Sequence, residues 1–228
     1  MSELLNVAAI DRIRTTTDGE GVTTLVVSMG CPLRCAYCIN PYTWDGSVEK
    51  GQYYTAEELY NSLKIDDLYF LATGGGVMFG GGEPLLNSSF IASFIKKYKD
   101  TGWKFNMETS LSVSREHIDE VIDLIDFFIV DTKDMDKDRY KLYTKGDYDL
   151  FYSNLKYLLS KAGPERIRVR VPAIPVFHQN KEYEQNAETL KSMGFKDIEI
   201  FPYVDPSQRK GISDKAVENK EDFLAKIN

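Results

Sequence analysis

Six times along this chain a short apolar run is followed by residues at helical spacing, and few folds accept that alternation. The runs lie at residues 21–28, 77–79, 104–107, 127–130, 167–171 and 198–201, rich in Val, Ile and Phe as strands are. Between them, Thr55 with Glu58 three residues later forms a capping box ahead of Leu59 and Leu63. Asn87 or Ser88 opens a helix to about Lys99, with Ile91, Phe94, Ile95 and Tyr98 on one face. Ser114 caps a helix carrying Ile118, Val121, Ile122 and Ile125. Further helices are predicted over residues 148–160, 182–193 and 218–227. Repeated strand–helix units imply a parallel sheet with right-handed crossovers. A closed eight-unit barrel takes about 250 residues, so six units in 228 residues predict an open, partial (β/α)6 barrel. The reading is one α/β domain over residues 1–228, with its core at about 13–204 and a helical tail at 212–228. Functional residues in such a fold belong just after the strands.

The charge balance narrows the function. With 28 Lys+Arg against 35 Asp+Glu, the net charge of −7 argues against nucleic acid as a partner. No membrane partner is expected, because the best apolar stretch, residues 121–130, is interrupted by Asp123 and Asp126. The first residues carry no charged-then-apolar signal pattern, so a cytoplasmic location is expected.

The three cysteines, Cys31, Cys35 and Cys38, fall within eight residues directly after the first run. An odd, clustered set is not a disulfide framework. Spacing Cys-x3-Cys-x2-Cys suits an iron–sulfur cluster, and three thiolates on four irons leave one iron open to a small ligand. Zinc would need a fourth ligand, and the two histidines, His117 and His178, lie far down the chain. An electron-carrying cluster normally has four cysteines. The glycine-rich segments do not read as nucleotide sites: Gly76-x4-Gly81 is followed by Gly82, not by Lys and Ser or Thr, and Gly74-x-Gly76 lacks the third glycine of a dinucleotide fingerprint.

The cysteine motif, with Tyr37 at the aromatic position before the third cysteine, resembles the radical S-adenosylmethionine superfamily. Gly81-Gly82-Glu83-Pro84 resembles its GGE motif, and the likeness runs from about residue 13 to 204. Within the superfamily the chain resembles the glycyl-radical-enzyme activating enzymes of the pyruvate formate-lyase type. The residues behind this are Asp18-Gly19-Glu20-Gly21-Val22, the stretch Cys38-Ile39-Asn40-Pro41-Tyr42-Thr43-Trp44-Asp45, Gly74-Gly75-Gly76-Val77 and Asp131-Thr132-Lys133. Arg170 with Ile174-Pro175, and Phe201-Pro202-Tyr203, complete the set.

The resemblance implies a [4Fe-4S] cluster on Cys31, Cys35 and Cys38, with S-adenosylmethionine on the open iron. It implies reductive cleavage to a 5′-deoxyadenosyl radical, which takes a hydrogen from a glycine Cα of a partner glycyl radical enzyme. It places S-adenosylmethionine against Tyr37, Cys38 and Ile39, against Gly81, Gly82 and Glu83, and against Asp131, Thr132, Lys133 and Arg170. Glu108 and Thr109 stand where the family holds a monovalent cation, although Glu108 is one methylene longer than the usual Asp. Ile39 and Val204 replace histidines of the family pattern. An external one-electron reductant, flavodoxin or ferredoxin, is implied as well. Two other readings stand beside this one: a radical enzyme acting on a small molecule or peptide, and an iron–sulfur electron carrier. Met193 and the tyrosines between 140 and 157 read as packing.

Overall fold

The computed structural model describes residues 4–15, 17–45 and 51–203. β1 (Leu5–Arg14) and β2 (Thr23–Ser28) form an antiparallel hairpin, and β3 (Gln52–Tyr54) pairs antiparallel with β1. β4 (Gly76–Gly81), β5 (Lys104–Thr109), β6 (Phe127–Asp131), β7 (Ile167–Ala173) and β8 (Asp197–Pro202) then add to β2 in parallel. The sheet order is β3-β1-β2-β4-β5-β6-β7-β8, and among the described residues β3 and β8 are its two unjoined edges. The six parallel strands are those expected from the apolar runs, and the barrel is open.

α1 (Ala56–Leu63) carries the capping box of Thr55 and Glu58. α2 (Asp67–Thr73) follows, then α3 (Ser88–Tyr98), α4 (Arg115–Val121), α5 (Lys137–Thr144), α6 (Tyr148–Ala162) and α7 (Glu182–Met193). Four elements were not read from the sequence. β1 buries only Leu5 and Val7 and is interrupted by two register shifts, so its period-2 signal is weak. β3 is three residues long. α2 leaves Leu68, Tyr69 and Leu71 exposed, and α5 is mostly polar, so neither shows an apolar stripe. The helix from Ser114 stops at Val121; Ile122 and Ile125 are buried from a turn instead. The helical tail expected at 212–228, and Val204, lie outside the described residues.

The main core joins the outer face of the sheet (Val26, Phe79, Met107, Phe128, Val169) to the helices through Phe94, Ile118, Leu155 and Leu190. Burying such side chains contributes about 1.5–3 kcal/mol each. Inside the barrel a small apolar layer of Leu25, Val27, Met78 and Ile129 lies near the axis. At the N-terminal ends of the parallel strands the β1–β2 loop forms a floor. Asp18 is 2% exposed, and its carboxylate accepts hydrogen bonds from Arg14 Nε (2.6 Å), Thr17 Oγ1 (2.5 Å) and Thr23 Oγ1 (3.1 Å). Asn106 Nδ2 reaches the Asp18 carbonyl at 3.4 Å. The glycines of Asp18-Gly19-Glu20-Gly21 and Gly74-Gly75-Gly76 meet there: a Cβ on Gly75 would lie 1.9 Å from the Val22 carbonyl oxygen, and one on Gly76 2.1 Å from that of Lys104. Both segments that resemble family motifs therefore serve close backbone packing at this end.

Candidate active site

The cysteine loop leaves β2 at the opposite end. Its backbone is tied to the last carbonyls of α5: Arg34 N–H donates to Thr144 O and Ala36 N–H to Tyr143 O, both at 2.8 Å. A helix C-terminus has unpaired carbonyls, so the loop supplies the cap the helix lacks. The Arg34 guanidinium donates to the carbonyls of Cys31 (2.7 Å) and Leu33 (2.8 Å). Cys35 is buried, Cys31 and Cys38 are half-buried, and all three are free thiols. Burial pushes the Cys31 thiol up to about 11 and that of Cys35 up to about 12. Loading metal on these thiols must therefore expel protons.

Tyr37 stands in an aromatic box, its ring 5.2 Å from Tyr143 and 5.8 Å from Tyr203, both edge-on. The Lys133 ammonium lies 5.8 Å from its ring centre. The Tyr37 hydroxyl is buried and, among the described residues, has no hydrogen-bond partner. A buried hydroxyl without a partner is costly, and here it points to a missing polar ligand.

The loop after β4 is locked to its neighbours. Gly82 N–H donates to Ser28 O (3.0 Å) and Glu83 N–H to Gly30 O (2.7 Å). A Cβ on Gly82 would lie 2.2 Å from the Gly30 carbonyl oxygen; Gly81 has φ +102° and its Cβ would lie 2.5 Å from Val27. Glu83 is fully buried and accepts from Thr109 Oγ1 (2.6 Å), Ser110 N (2.8 Å), Ser110 Oγ (2.5 Å) and Leu85 N (3.2 Å). Burial holds its carboxyl above the usual carboxylate range, even with these donors. Its four acceptor positions are used by the chain itself. Glycines and glutamate alike thus join the ends of β2, β4 and β5.

Charged side chains line the inner face of β5–β8. The Arg170 guanidinium donates to Glu108 (2.9 Å) and Glu199 (3.1 Å) and meets the Thr17 carbonyl from the floor. Burial works against its charge, and the facing carboxylates more than offset this, so its pKa is raised. Burial likewise holds the Glu108 carboxyl above its usual range. Asp131 and Lys133 meet as an ion pair at 2.6 Å. Lys133 has φ +60° and lies past the end of β6, so a turn and not the strand brings it beside Asp131.

Thr132 turns away from this group: its N–H and Oγ1 both donate to the Arg170 carbonyl, at 3.0 and 2.9 Å. Ile39 is 49% exposed beside Cys38. Neither histidine joins the cysteines. His117 Nδ1 lies 2.8 Å from Ser88 Oγ, and His178 is buried against Asp134. Among the described residues no three His, Cys, Asp or Glu side chains are grouped to hold a single ion. Sequence reading missed Glu199 and Asp134, took Tyr143 as packing, and gave Ser110 no role of its own. Glu199 faces Arg170 only through the register of β7 and β8, and only Ser110 had a local signal, its place next to Thr109.

The donor set fits an iron–sulfur cluster: three thiols on one partly buried loop, with an ammonium beside them and a buried hydroxyl that has no partner among the described residues. A model of the radical SAM superfamily matches residues 25–208, so the chain belongs to that superfamily. Its relatives are more particular. It is 32% identical to the pyruvate formate-lyase-activating enzyme of Clostridium pasteurianum, over 82% of this chain and 77% of that one. It is 30% identical to the enzyme of the same name from Staphylococcus aureus (strain USA300), with the same coverage. Among solved structures it is similar to Streptococcus suis SuiB bound to S-adenosylmethionine (TM-score 0.59, 16% identity, 84% of this chain and 43% of that one). It is also similar to anSMEcpe with bound AdoMet and a peptide (TM-score 0.60, 16% identity, 87% and 54%). The chain spans about half or less of those two structures, and they speak for the fold.

Proposed function

We propose that this chain is an activating enzyme for a glycyl radical enzyme. Cys31, Cys35 and Cys38 would hold a [4Fe-4S] cluster, and the mouth of the barrel would hold S-adenosylmethionine. When bound and reduced, that pair supplies a 5′-deoxyadenosyl radical able to take a hydrogen from a glycine Cα. The observation that carries this reading is the cysteine loop itself, packed beside Tyr37 and Lys133 at the C-terminal end of the first parallel strand. The likeness to two activating enzymes at 30–32% identity supports the choice within the superfamily.

The chain's own groups divide the work. Lys133 carries a buried positive charge suited to a carboxylate or ribose oxygen. Burial opposes that charge, and Asp131 more than compensates. An ammonium needs acceptors, and Glu83 is already saturated, so the backbone carbonyls of Gly81 and Gly82 are the groups assigned to it. Glu83, Thr109 and Thr132 hold the rim in place, and Ile39 forms part of the outer lip. Arg170 holds Glu108 and Glu199 and keeps the inner wall charged. A monovalent cation at Glu108 would share that carboxylate with Arg170. Among the described residues the sheet has two unjoined edges, and a protein loop would enter between them. A flavodoxin or ferredoxin would supply the electron in an oxygen-poor cytoplasm. Among the described residues no helix is long and apolar enough to cross a membrane.

The test is anaerobic. The chain is reconstituted with iron and sulfide, reduced, and given S-adenosylmethionine and a glycyl-loop peptide deuterated at the glycine Cα. Deuterium in 5′-deoxyadenosine is the expected result. Unlabelled 5′-deoxyadenosine would move the substrate to another molecule, and none at all from a loaded cluster would end the enzymatic reading.

A further inference from the structure

Behind the cysteine loop lies a buried polar junction that the proposed chemistry does not use. Asp134, one residue past Lys133, has a fully buried carboxylate. It accepts from His178 Nε2 (3.0 Å), Arg139 Nε (3.0 Å) and Asp136 N (2.8 Å), with the Tyr143 hydroxyl at 3.2 Å. His178 Nδ1 accepts the Ile174 N–H at 3.0 Å, so the ring proton sits on Nε2 and points at Asp134. The junction thereby joins the turn after β6, the turn after β7 and helix α5.

Tyr143 connects this junction to the cysteines. Its hydroxyl donates to the Lys133 carbonyl at 2.7 Å. Its own carbonyl accepts the Ala36 N–H at 2.8 Å, between Cys35 and Cys38. Its ring packs edge-on against Tyr37. One side chain therefore touches both the residue that carries the ammonium and the loop that carries the thiols. Lys133 also has φ +60°, a conformation that a residue with a β-carbon keeps only when its surroundings impose it. The Tyr143 hydroxyl bonds the carbonyl of that same residue.

We propose that Tyr143, held by Asp134 and His178, is a positioning residue that sets the place of Lys133 relative to the cysteine loop, and with it the affinity for S-adenosylmethionine. This rests on the cluster reading above. The role is one of orientation, as outer hydrogen bonds orient the ligands of a metal site.

The test compares Tyr143→Phe with Tyr140→Phe, a loss of one buried hydroxyl from the same helix; Tyr140 bonds Ser112 at 2.8 Å and does not touch the cysteine loop through it. Each reconstituted protein is assayed for iron and sulfide, and S-adenosylmethionine is titrated against the electron paramagnetic resonance spectrum of the reduced cluster. Tyr143→Phe is expected to keep its iron and sulfide and to bind S-adenosylmethionine about tenfold more weakly, with a smaller spectral change. Tyr140→Phe is expected to bind as the parent does. His178→Gln reads the same quantity from the other side of Asp134 and is expected to weaken binding too, whether or not Tyr143→Phe folds. Parent-like binding by Tyr143→Phe, or by His178→Gln where Tyr143→Phe does not fold, would overturn the proposal, as would equal weakening by Tyr140→Phe. A parent chain that takes up no iron and sulfide would instead remove the cluster reading, and this proposal with it.

Discussion

The two ends of the barrel are built on opposite plans. At the floor the buried carboxylate is held locally: Asp18 is bonded by Arg14, Thr17 and Thr23, all within five residues, and only the loop's carbonyls are met from afar, by Asn106 and Arg170. At the mouth, the turns after β2, β4, β5, β6 and β7 meet, and the bonds cross long stretches of chain, as between Glu83 and Ser110 or Asp134 and His178. The carboxylates follow the same division. Burial pushes Asp18 up, but its donors prevail and its carboxyl lies below the usual range. For Glu83 and Glu108 burial prevails and the carboxyls lie above it. At the floor donors outweigh desolvation; at the mouth desolvation outweighs the donors. Strained or costly groups concentrate where function needs them.

If that contrast is right, mouth substitutions remove activity and spare the fold, and floor substitutions do the reverse. The largest effect is expected for Cys35→Ala: cluster content near zero and S-adenosylmethionine cleavage down by about a thousandfold or more, with thermal unfolding little changed, since on the proposed reading the cluster would carry the chemistry. Iron analysis and a melting curve on one sample check both halves. Gly75→Ala at the floor is expected to destabilise by about 3 kcal/mol, because its Cβ meets backbone that cannot move aside. Urea unfolding measures this, and unaltered stability would refute the packing account.

Lys133→Met is expected to weaken S-adenosylmethionine binding about 10- to 100-fold, the worth of a charged hydrogen bond, at unchanged iron content. Asp18→Asn is expected to destabilise by about 1–2 kcal/mol at pH 7, a figure reduced because Arg14 is partly in water. Its sign against pH is fixed. The parent's contribution from Asp18 is present above the unfolded value of 3.8 and is lost as pH falls through the lower folded value, so the difference between parent and variant shrinks there. Glu83 and Glu108 act oppositely: their raised folded pKa values make the folded chain bind protons first, so their contribution improves as pH falls toward 4.5. The smallest effect is expected from ions. With Arg170 on Glu108, exchanging potassium for tetramethylammonium should change binding by less than about twofold, whereas a tenfold loss would place a cation at that carboxylate.

Much of this was legible beforehand. The six parallel strands, the capping box at Thr55, the span of α7 and the cluster of cysteines all come from local pattern. Other features resisted it. α5 buries Tyr140 and Tyr143 from a polar sequence, so its period is hidden, yet it carries the cysteine loop. The Asp18-Gly19-Glu20-Gly21 and Gly74-Gly75-Gly76 segments resembled functional motifs and turned out to meet at the floor. The family motif marks Glu83 but not its partners: its carboxylate accepts from Thr109, Ser110 and Leu85, two of them on another strand end.

The sequence alone determined the alternation of elements, the single cluster of thiols and the position of charged residues at strand ends, because each depends on neighbours within a few residues. Only the tertiary structure decided that Arg170 faces Glu108 and Glu199, that Tyr143 bridges Lys133 and Ala36, and that Glu83 has no acceptor left. Those facts depend on strand register and on which turns meet across a closed-in space. Hydrogen bonds between groups dozens of residues apart leave no period in the chain that makes them.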